Sequence, residues 1–443
     1  MQIAERIGRA IANGAIAAGE RLPASRELAR EADTTPTTVN QAYRRLREKG
    51  LVVSRVGSGT YVSGMRAPAR GSEPIPDFIH LDRREPPPSL FPTEVIRGIM
   101  DRILDEEGGE AFAYGEPGGY GPLREVLLAQ LVDEGFATTN RDLVVFSGAQ
   151  QALSLLLRSH VQRGDWVLVE RPTYPGLLRL LERAGARVEV VDIGPDGPDP
   201  DHIAHLLSVR PIRLFYTMPV YHNPTGVCWS PDRQRRVAQL CEEKGVVLVE
   251  DDALSALDFG AGRQRPISVN APACGHVVHI RSFSLVLMPG FRLGFCLAPR
   301  DLANTLKRAK EQADLLSSGF FQRVLCRFIS EGHLKRHLAV IEPYYRDLFT
   351  QAVTATKAIL EPVGFAPYPA AGGPSLWCRL PEGIAPAVFL RACIRTGVGV
   401  RSGVDYAPNE ATADGLAIDF GRLSPHVLMA GLERLGQAAS DAQ

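Results

Sequence analysis

Five short apolar runs recur along the middle of the chain: Leu143-Val144-Val145-Phe146, Trp166-Val167-Leu168-Val169, Val188-Glu189-Val190-Val191, Arg213-Leu214-Phe215-Tyr216-Thr217 and Val246-Val247-Leu248-Val249. Helical stretches separate them. Strand and helix in alternation admit few architectures, because parallel neighbours need a crossover long enough to hold a helix; the pattern predicts a mostly parallel sheet covered on both faces. In such sheets ligands gather beyond the carboxyl ends of the strands, so the residues after each run are where chemistry is expected. These are Ser147-Gly148-Ala149-Gln150-Gln151, Glu170-Arg171-Pro172-Thr173-Tyr174-Pro175-Gly176, Pro219 to Gly226, and Glu250-Asp251-Asp252. Farther on stand Arg281-Ser282-Phe283-Ser284-Leu285 and Pro289-Gly290-Phe291-Arg292-Leu293-Gly294. The first group enters a helix whose free amides and positive dipole end suit a phosphate.

The first 66 residues read differently. The 443-residue chain has no formal net charge, yet residues 1–66 carry +5 and the remainder −5. A basic block of that kind is an electrostatic footprint for nucleic acid, or simply a solvated face. Ile3, Ile7 and Ile11 predict a helix ending near Asn13-Gly14; Ser25 is placed to cap a second, with Leu28 and Ala29 inward. Pro36 opens a third that runs through Val39, Tyr43 and Leu46 to Gly50, since proline has no amide hydrogen to lose at a first helical position. Leu51 to Val56 and Thr60-Tyr61-Val62, flanking Gly57-Ser58-Gly59, read as a hairpin. Thr37, Thr38, Asn40, Gln41, Arg44 and Arg45 form a donor-rich face on the third helix, suited to bases and phosphates. Residues from Ser63 to about Pro76 lack periodicity and are rich in Gly and Pro, the mark of a linker. The domains are therefore set at 1–66, a linker at 67–80, and a body at 81–436.

With 45% apolar and 23% charged residues the chain is expected to be globular. No apolar run approaches the roughly 18 residues of a membrane span, and the first residues carry charge where a signal peptide is apolar, so a cytoplasmic protein is expected. The seven cysteines are scattered without a Cys-x-x-Cys pair, which points to reduced thiols and to no metal site.

The first block resembles the winged helix-turn-helix of the GntR superfamily, through Gly19-x-Arg21-Leu22-Pro23-x-Ser25-Arg26-x-Leu28-Ala29, Thr38-Val39-x-x-Ala42-Tyr43-x-x-Leu46 and Gly57-x-Gly59-Thr60-Tyr61-Val62. That resemblance implies DNA contacts from Arg26, from the early third-helix residues, and from Gly57 and Gly59 of the wing. Pro36 stands where the family often has Arg, so no operator sequence carries over. The long block is similar to the fold-type I aminotransferases, whose cofactor is pyridoxal 5′-phosphate, and the whole chain resembles the MocR subgroup of GntR-type regulators. The implied fold is α/β, a winged helix-turn-helix followed by an aminotransferase-like domain with large and small subdomains.

The resemblance assigns the phosphate to Ala149, Gln150, Ser282, Ser284 and Arg292, with Tyr114 reaching across from a partner subunit. It assigns the ring to Tyr174, its phenolic oxygen to Asn223 and its nitrogen to Asp251, where a carboxylate favours the protonated form. The same residue types have plainer uses, Tyr174 as core packing and Asp251 as the cap of a turn. Three departures bear on catalysis. The family's Schiff-base lysine falls at Leu285, which has no amine and cannot act as a nucleophile or base. After Asp251 the family has a Tyr, where this chain reads Asp252-Ala253-Leu254. The Arg that clamps a substrate carboxylate falls at Ala417, with Arg422 as the one displaced substitute.

The expected protein is a homodimeric transcriptional regulator that binds double-stranded operator DNA and has no membrane association. Its body is catalytically inactive and senses an unidentified small-molecule effector, with pyridoxal phosphate, if bound at all, held without a covalent bond. The alternatives are a pyridoxal-phosphate aminotransferase with an appended DNA-binding head, and a body that only dimerises.

Overall fold

The computed structural model describes residues 2–12, 16, 20–48, 51–55, 59–62, 74–408 and 415–442. In the N-terminal head, helices Gln2–Ala12, Ser25–Glu31 and Pro36–Glu48 precede an antiparallel hairpin of Val52–Arg55 and Gly59–Val62, in register Val52 with Val62 and Arg55 with Gly59. Leu22, Ala29, Val39, Tyr43, Leu46, Val52 and Val62 form its core, and the Tyr43 hydroxyl donates to the Pro23 carbonyl at 2.8 Å. Asn13-Gly14, Gly19, Gly57-Ser58 and most of the expected linker lie outside the described residues. One expectation needs correction. Ser25 does not cap the second helix, whose N-cap is Ala24 without a side-chain bond. Its hydroxyl instead donates to Asn40 Oδ1 at 2.5 Å, tying the second helix to the third.

In the body an eight-stranded sheet runs in the order Arg141–Phe146, Gly294–Pro299, Val277–Ser282, Val247–Asp252, Ile212–Thr217, Trp166–Arg171, Arg187–Gly194 and Gly197–Pro198. The five strands from Val277–Ser282 to Arg187–Gly194 are parallel neighbours; Gly294–Pro299 is antiparallel to both of its own, and Gly197–Pro198 is antiparallel to its one. One face packs Leu153, Leu156, Leu177, Leu181 and Leu306 from helices Ala149–His160, Pro175–Ala184 and Arg300–Asp314; the other packs Ile203, Leu207, Val237 and Cys241 from Pro200–Val209 and Pro231–Lys244.

All five sequence-predicted runs lie in this sheet. Val277–Ser282, of which the sequence singled out only Arg281 and Ser282, is a further strand whose apolar pattern is interrupted by His279 and Arg281. Both are buried; His279 Nδ1 pairs with Glu250 at 2.9 Å, and Arg281 donates to Glu134 at 2.7 Å.

A second, antiparallel sheet of Ala366–Pro367, Ser375–Arg379, Gly415–Asp419 and Arg401–Ser402 builds the small subdomain with helices Pro386–Thr396 and Pro425–Ser440. Ile79 and His80, which the sequence placed in the linker, pair in parallel with Val398 and Gly399, and Asp82 bridges to Asp419. The body thus begins before residue 81, because Ile79 and Leu81 are buried in its core.

The head's core is small enough to be tested alone. Leu46→Ala should cost it about 2–5 kcal/mol and abolish DNA binding. Trp166, Trp229 and Trp377 all lie in the body. In urea, tryptophan fluorescence should keep its midpoint while a separate far-UV circular dichroism transition moves to lower urea.

Candidate functional site

At the carboxyl edge of the sheet lies a cavity of about 270 Å³, whose lining includes Ala149, Gln150, Tyr174, Asn223, Asp251, Ser282, Ser284, Leu285 and Arg292. The loops after four separate strands therefore meet at one place. Gly148 precedes helix Ala149–His160 at φ 89° with no side-chain cap, leaving the first amides without an intrahelical partner. A Cβ at Gly148 would lie 2.8 Å from Arg292 Nη2, so only glycine admits this guanidinium to the helix start. Arg292 Nη2 donates to the Ser147 carbonyl at 3.3 Å, and among the described residues the side chain has no ion pair. Ser282 Oγ accepts the Ser284 amide at 3.1 Å. The result is a cationic, amide-lined pocket for an anion.

Beside it, Tyr174 is half-buried, and burial pushes its phenol up. Gly176 makes room for the ring, since a Cβ there would collide with it. Gln150 Nε2 donates to the Gly176 carbonyl at 3.0 Å, while Gln150 Oε1 and Asn223 Oδ1 are buried without a hydrogen-bond partner. Asp251 and Asp252 divide the roles the sequence left open. Asp252, not Asp251, caps the turn, accepting the Ser255 amide at 2.9 Å, and pairs with Arg281 at 3.1 Å. Asp251 takes one hydrogen bond, from the Tyr216 hydroxyl at 2.8 Å, and burial pushes its carboxyl up to about 6.

Two candidate contributors, Tyr114 and Arg422, lie elsewhere, and so does the position of the missing Arg, Ala417. Tyr114 is 87% exposed and outside the cavity. Ala417 is buried against Trp377 and Tyr406, and Arg422 pairs with Glu85 at 2.9 Å. Val220, Tyr221, Ala253 and Leu254, from segments the sequence singled out, also line the cavity, and Arg84 and Met218 do so unforeseen. Arg84 gave no signal in sequence because long-range pairing, including the Asp82–Asp419 bridge, brings its segment here. No lysine lines the cavity among the described residues. Lys310 is buried but held by Asp314 at 2.9 Å and Gln151 at 3.1 Å.

In the head Arg26, Thr37, Thr38, Asn40, Gln41 and Arg44 are all exposed. Thr35 caps the third helix by accepting the Thr38 amide at 3.3 Å, and Asn40 is engaged with Ser25. Gly59 sits at φ 119°, where a Cβ would lie 2.9 Å from Arg21 Nε, so its glycine is required by the fold of the hairpin. Among the described residues no cluster of His, Cys, Asp and Glu is arranged to hold a metal, all seven cysteines are free, and no helix is long and apolar enough to cross a membrane.

A crossover sheet with an anion cradle and a lone carboxylate at its carboxyl edge, joined to a helix-turn-helix, defines a two-part protein. The sequence profile of aminotransferase class I and II matches residues 88–403, and the chain belongs to that family; the profile of bacterial regulatory proteins of the gntR family matches residues 1–62. It is 28% identical, over 98% of its length and 95% of the relative's, to an uncharacterized HTH-type transcriptional regulator, YdfD, of Bacillus subtilis. To a 2-aminoadipate transaminase of Thermus thermophilus it is 30% identical over 80% of this chain and 88% of the relative. The crystal structure of LysN, an alpha-aminoadipate aminotransferase of Thermus thermophilus complexed with N-(5′-phosphopyridoxyl)-L-leucine, superposes with a TM-score of 0.76 at 29% identity, covering 83% of this chain and 93% of that one.

The Asp251 carboxyl generates a signed prediction. Its raised value means that the empty protein favours the neutral form, a contribution present below about pH 4 and lost as pH rises through about 6. Asp251→Asn should therefore raise the thermal midpoint of the ligand-free protein at pH 7, with the gain vanishing by pH 4, as differential scanning calorimetry would read.

Proposed function

We propose that the chain is a DNA-binding transcriptional regulator whose aminotransferase-type body senses a ligand and dimerises without catalysing transamination. The observation that carries this reading is Leu285 in the wall of a cavity that has no lysine among its lining residues. The surroundings still fit pyridoxal 5′-phosphate. Gly148, the uncapped amides at Ala149 and Gln150, and the unpaired Arg292 suit its phosphate, with Ser282 and Ser284 as hydroxyl partners. Asn223, which lines the cavity, would offer its Nδ2 to the phenolic oxygen, and Asp251 suits a protonated ring nitrogen, whose charge would restore its ionised form. Tyr174 offers a ring face. When bound, the cofactor supplies an electron sink for bonds at an amino acid's α-carbon. Leu285 contributes no proton transfer and no covalent anchor to that chemistry. The alternative, a working aminotransferase, requires an amine that these lining residues do not provide.

For the head, the exposed donors of the third helix and Arg26 are the proposed DNA contacts. A helix-turn-helix reads paired half-sites as a dimer, and the exposed Phe112 and Tyr114 give the body an apolar surface for a second copy. In that dimer Tyr114 would approach the partner's cavity. On this reading the protein also acts in the cytoplasm, which its free thiols and a DNA target support.

Two measurements test the reading. Arg26→Ala and Arg44→Ala should each weaken operator binding about tenfold and lower the salt slope by about one, as expected for phosphate contacts. Leu285→Lys, treated with pyridoxal phosphate and borohydride, should gain a cofactor adduct at residue 285 by mass spectrometry, whereas the natural protein should gain none there. An adduct in the natural protein would overturn the assignment of Leu285.

A further inference from the structure

Arg84 presents a problem of hydrogen bonding. Its side chain is only 17% exposed, its Nε is buried without a partner, and among the described residues its guanidinium makes no hydrogen bond. Five donors in a fixed fork are costly to leave unmet at that depth. Its one ion pair, with Asp419 Oδ1, is 3.5 Å long, beyond a good hydrogen bond. Asp419 is also shared: Oδ1 accepts the Ser375 hydroxyl, and Oδ2 lies 3.2 Å from Arg401 Nε.

Arg84 lines the same cavity as Arg292 and Asp251. Two cationic groups therefore border one space. Arg292 sits at the helix start, where amides and hydroxyls suit a tetrahedral anion; Arg84 has a planar fork and no such retinue, which suits a carboxylate. The groups facing Arg84 are otherwise occupied: Asp251 is bonded by Tyr216, and Glu85 is bonded by Arg422. The family's carboxylate-binding position is Ala417, buried against Trp377, and the displaced candidate Arg422 is engaged by Glu85. Met218, Val220, Leu254 and Leu285 supply an apolar wall.

We infer that Arg84 is the specificity residue that binds the ligand's carboxylate, so that the effector is a carboxylic acid with an apolar portion, bound beside or joined to the phosphate-bearing ligand at Arg292. This rests on the reading of the cavity as a ligand site. The test titrates full-length protein with N-(5′-phosphopyridoxyl)-L-leucine, with its carboxamide analogue, and with pyridoxamine phosphate, by calorimetry.

The natural protein should bind the acid at least about tenfold more tightly than the amide, the scale of a charge-assisted hydrogen bond. In Arg84→Gln that ratio should fall to about one, Arg84→Lys should keep part of it, and the control Arg422→Gln should keep all of it. Because the readout is a ratio within each variant, a general loss of affinity does not imitate it.

Retention of the preference in Arg84→Gln, or equal binding of acid and amide by the natural protein, overturns the assignment of Arg84 alone. Binding of none of the three by the natural protein overturns the ligand-site reading and this inference with it. Titrating pyridoxal-phosphate-saturated protein with L-leucine separates the two sources: an Arg84-dependent response places the carboxylate on a separate molecule, and binding of the conjugate alone places it on a joined one.

Discussion

A buried charge network between two parallel strands fixes the site. Glu250 accepts the Ile267 and Ser268 amides at 2.6 and 3.0 Å and pairs with His279, while Asp252 pairs with Arg281, which reaches on to Glu134. These contacts pin Val247–Asp252 against Val277–Ser282. Because side chains alternate along a strand, committing Glu250 and Asp252 to one face sends Asp251 to the other, toward the cavity. Ser282 is set in place by the same strand that carries His279 and Arg281. Removing one partner from such a buried pair typically costs about 3–5 kcal/mol, so the geometry of the site and the stability of the sheet are one problem.

The sequence was informative wherever burial was apolar and periodic. The five runs of the large sheet and the three helices of the head follow from that pattern alone. Where burial is polar, the pattern breaks. Val277–Ser282 is a central strand whose His279 and Arg281 look like loop residues until Glu250 and Glu134 are found beside them. Ser25 has the composition of a cap, yet Asn40, fifteen residues on, competes for its hydroxyl at 2.5 Å. Most of the cavity was legible through resemblance, because its residues follow strand ends in order. Arg84 was not, since nothing local distinguishes it from Arg83; long-range pairing, including a bridge between residues 82 and 419, decides which arginine lines the cavity.

The two halves of the chain divide a regulator's work along physical lines. The head has seven buried side chains in its core and an exposed, donor-rich helix, the balance of a module that reads charge and base edges. The body has a deep core on both faces of its sheet, and the polar groups of its candidate site gather at one edge. Members of the same family use that edge for transamination; here the anion cradle, the ring-side tyrosine and the carboxylate stand around a leucine.

On the proposed reading, that leucine would also set a time scale. A ligand tethered through an amine leaves only as fast as a covalent bond is exchanged, whereas one held beside Leu285 leaves at the rate at which its ionic and apolar contacts break. Occupancy of such a cavity follows the free concentration of its ligand and resets when that concentration falls, with no product to clear. The stabilisation each bound molecule confers grows only as the logarithm of its concentration over its dissociation constant, so on the proposed reading the body would report abundance as a graded equilibrium signal.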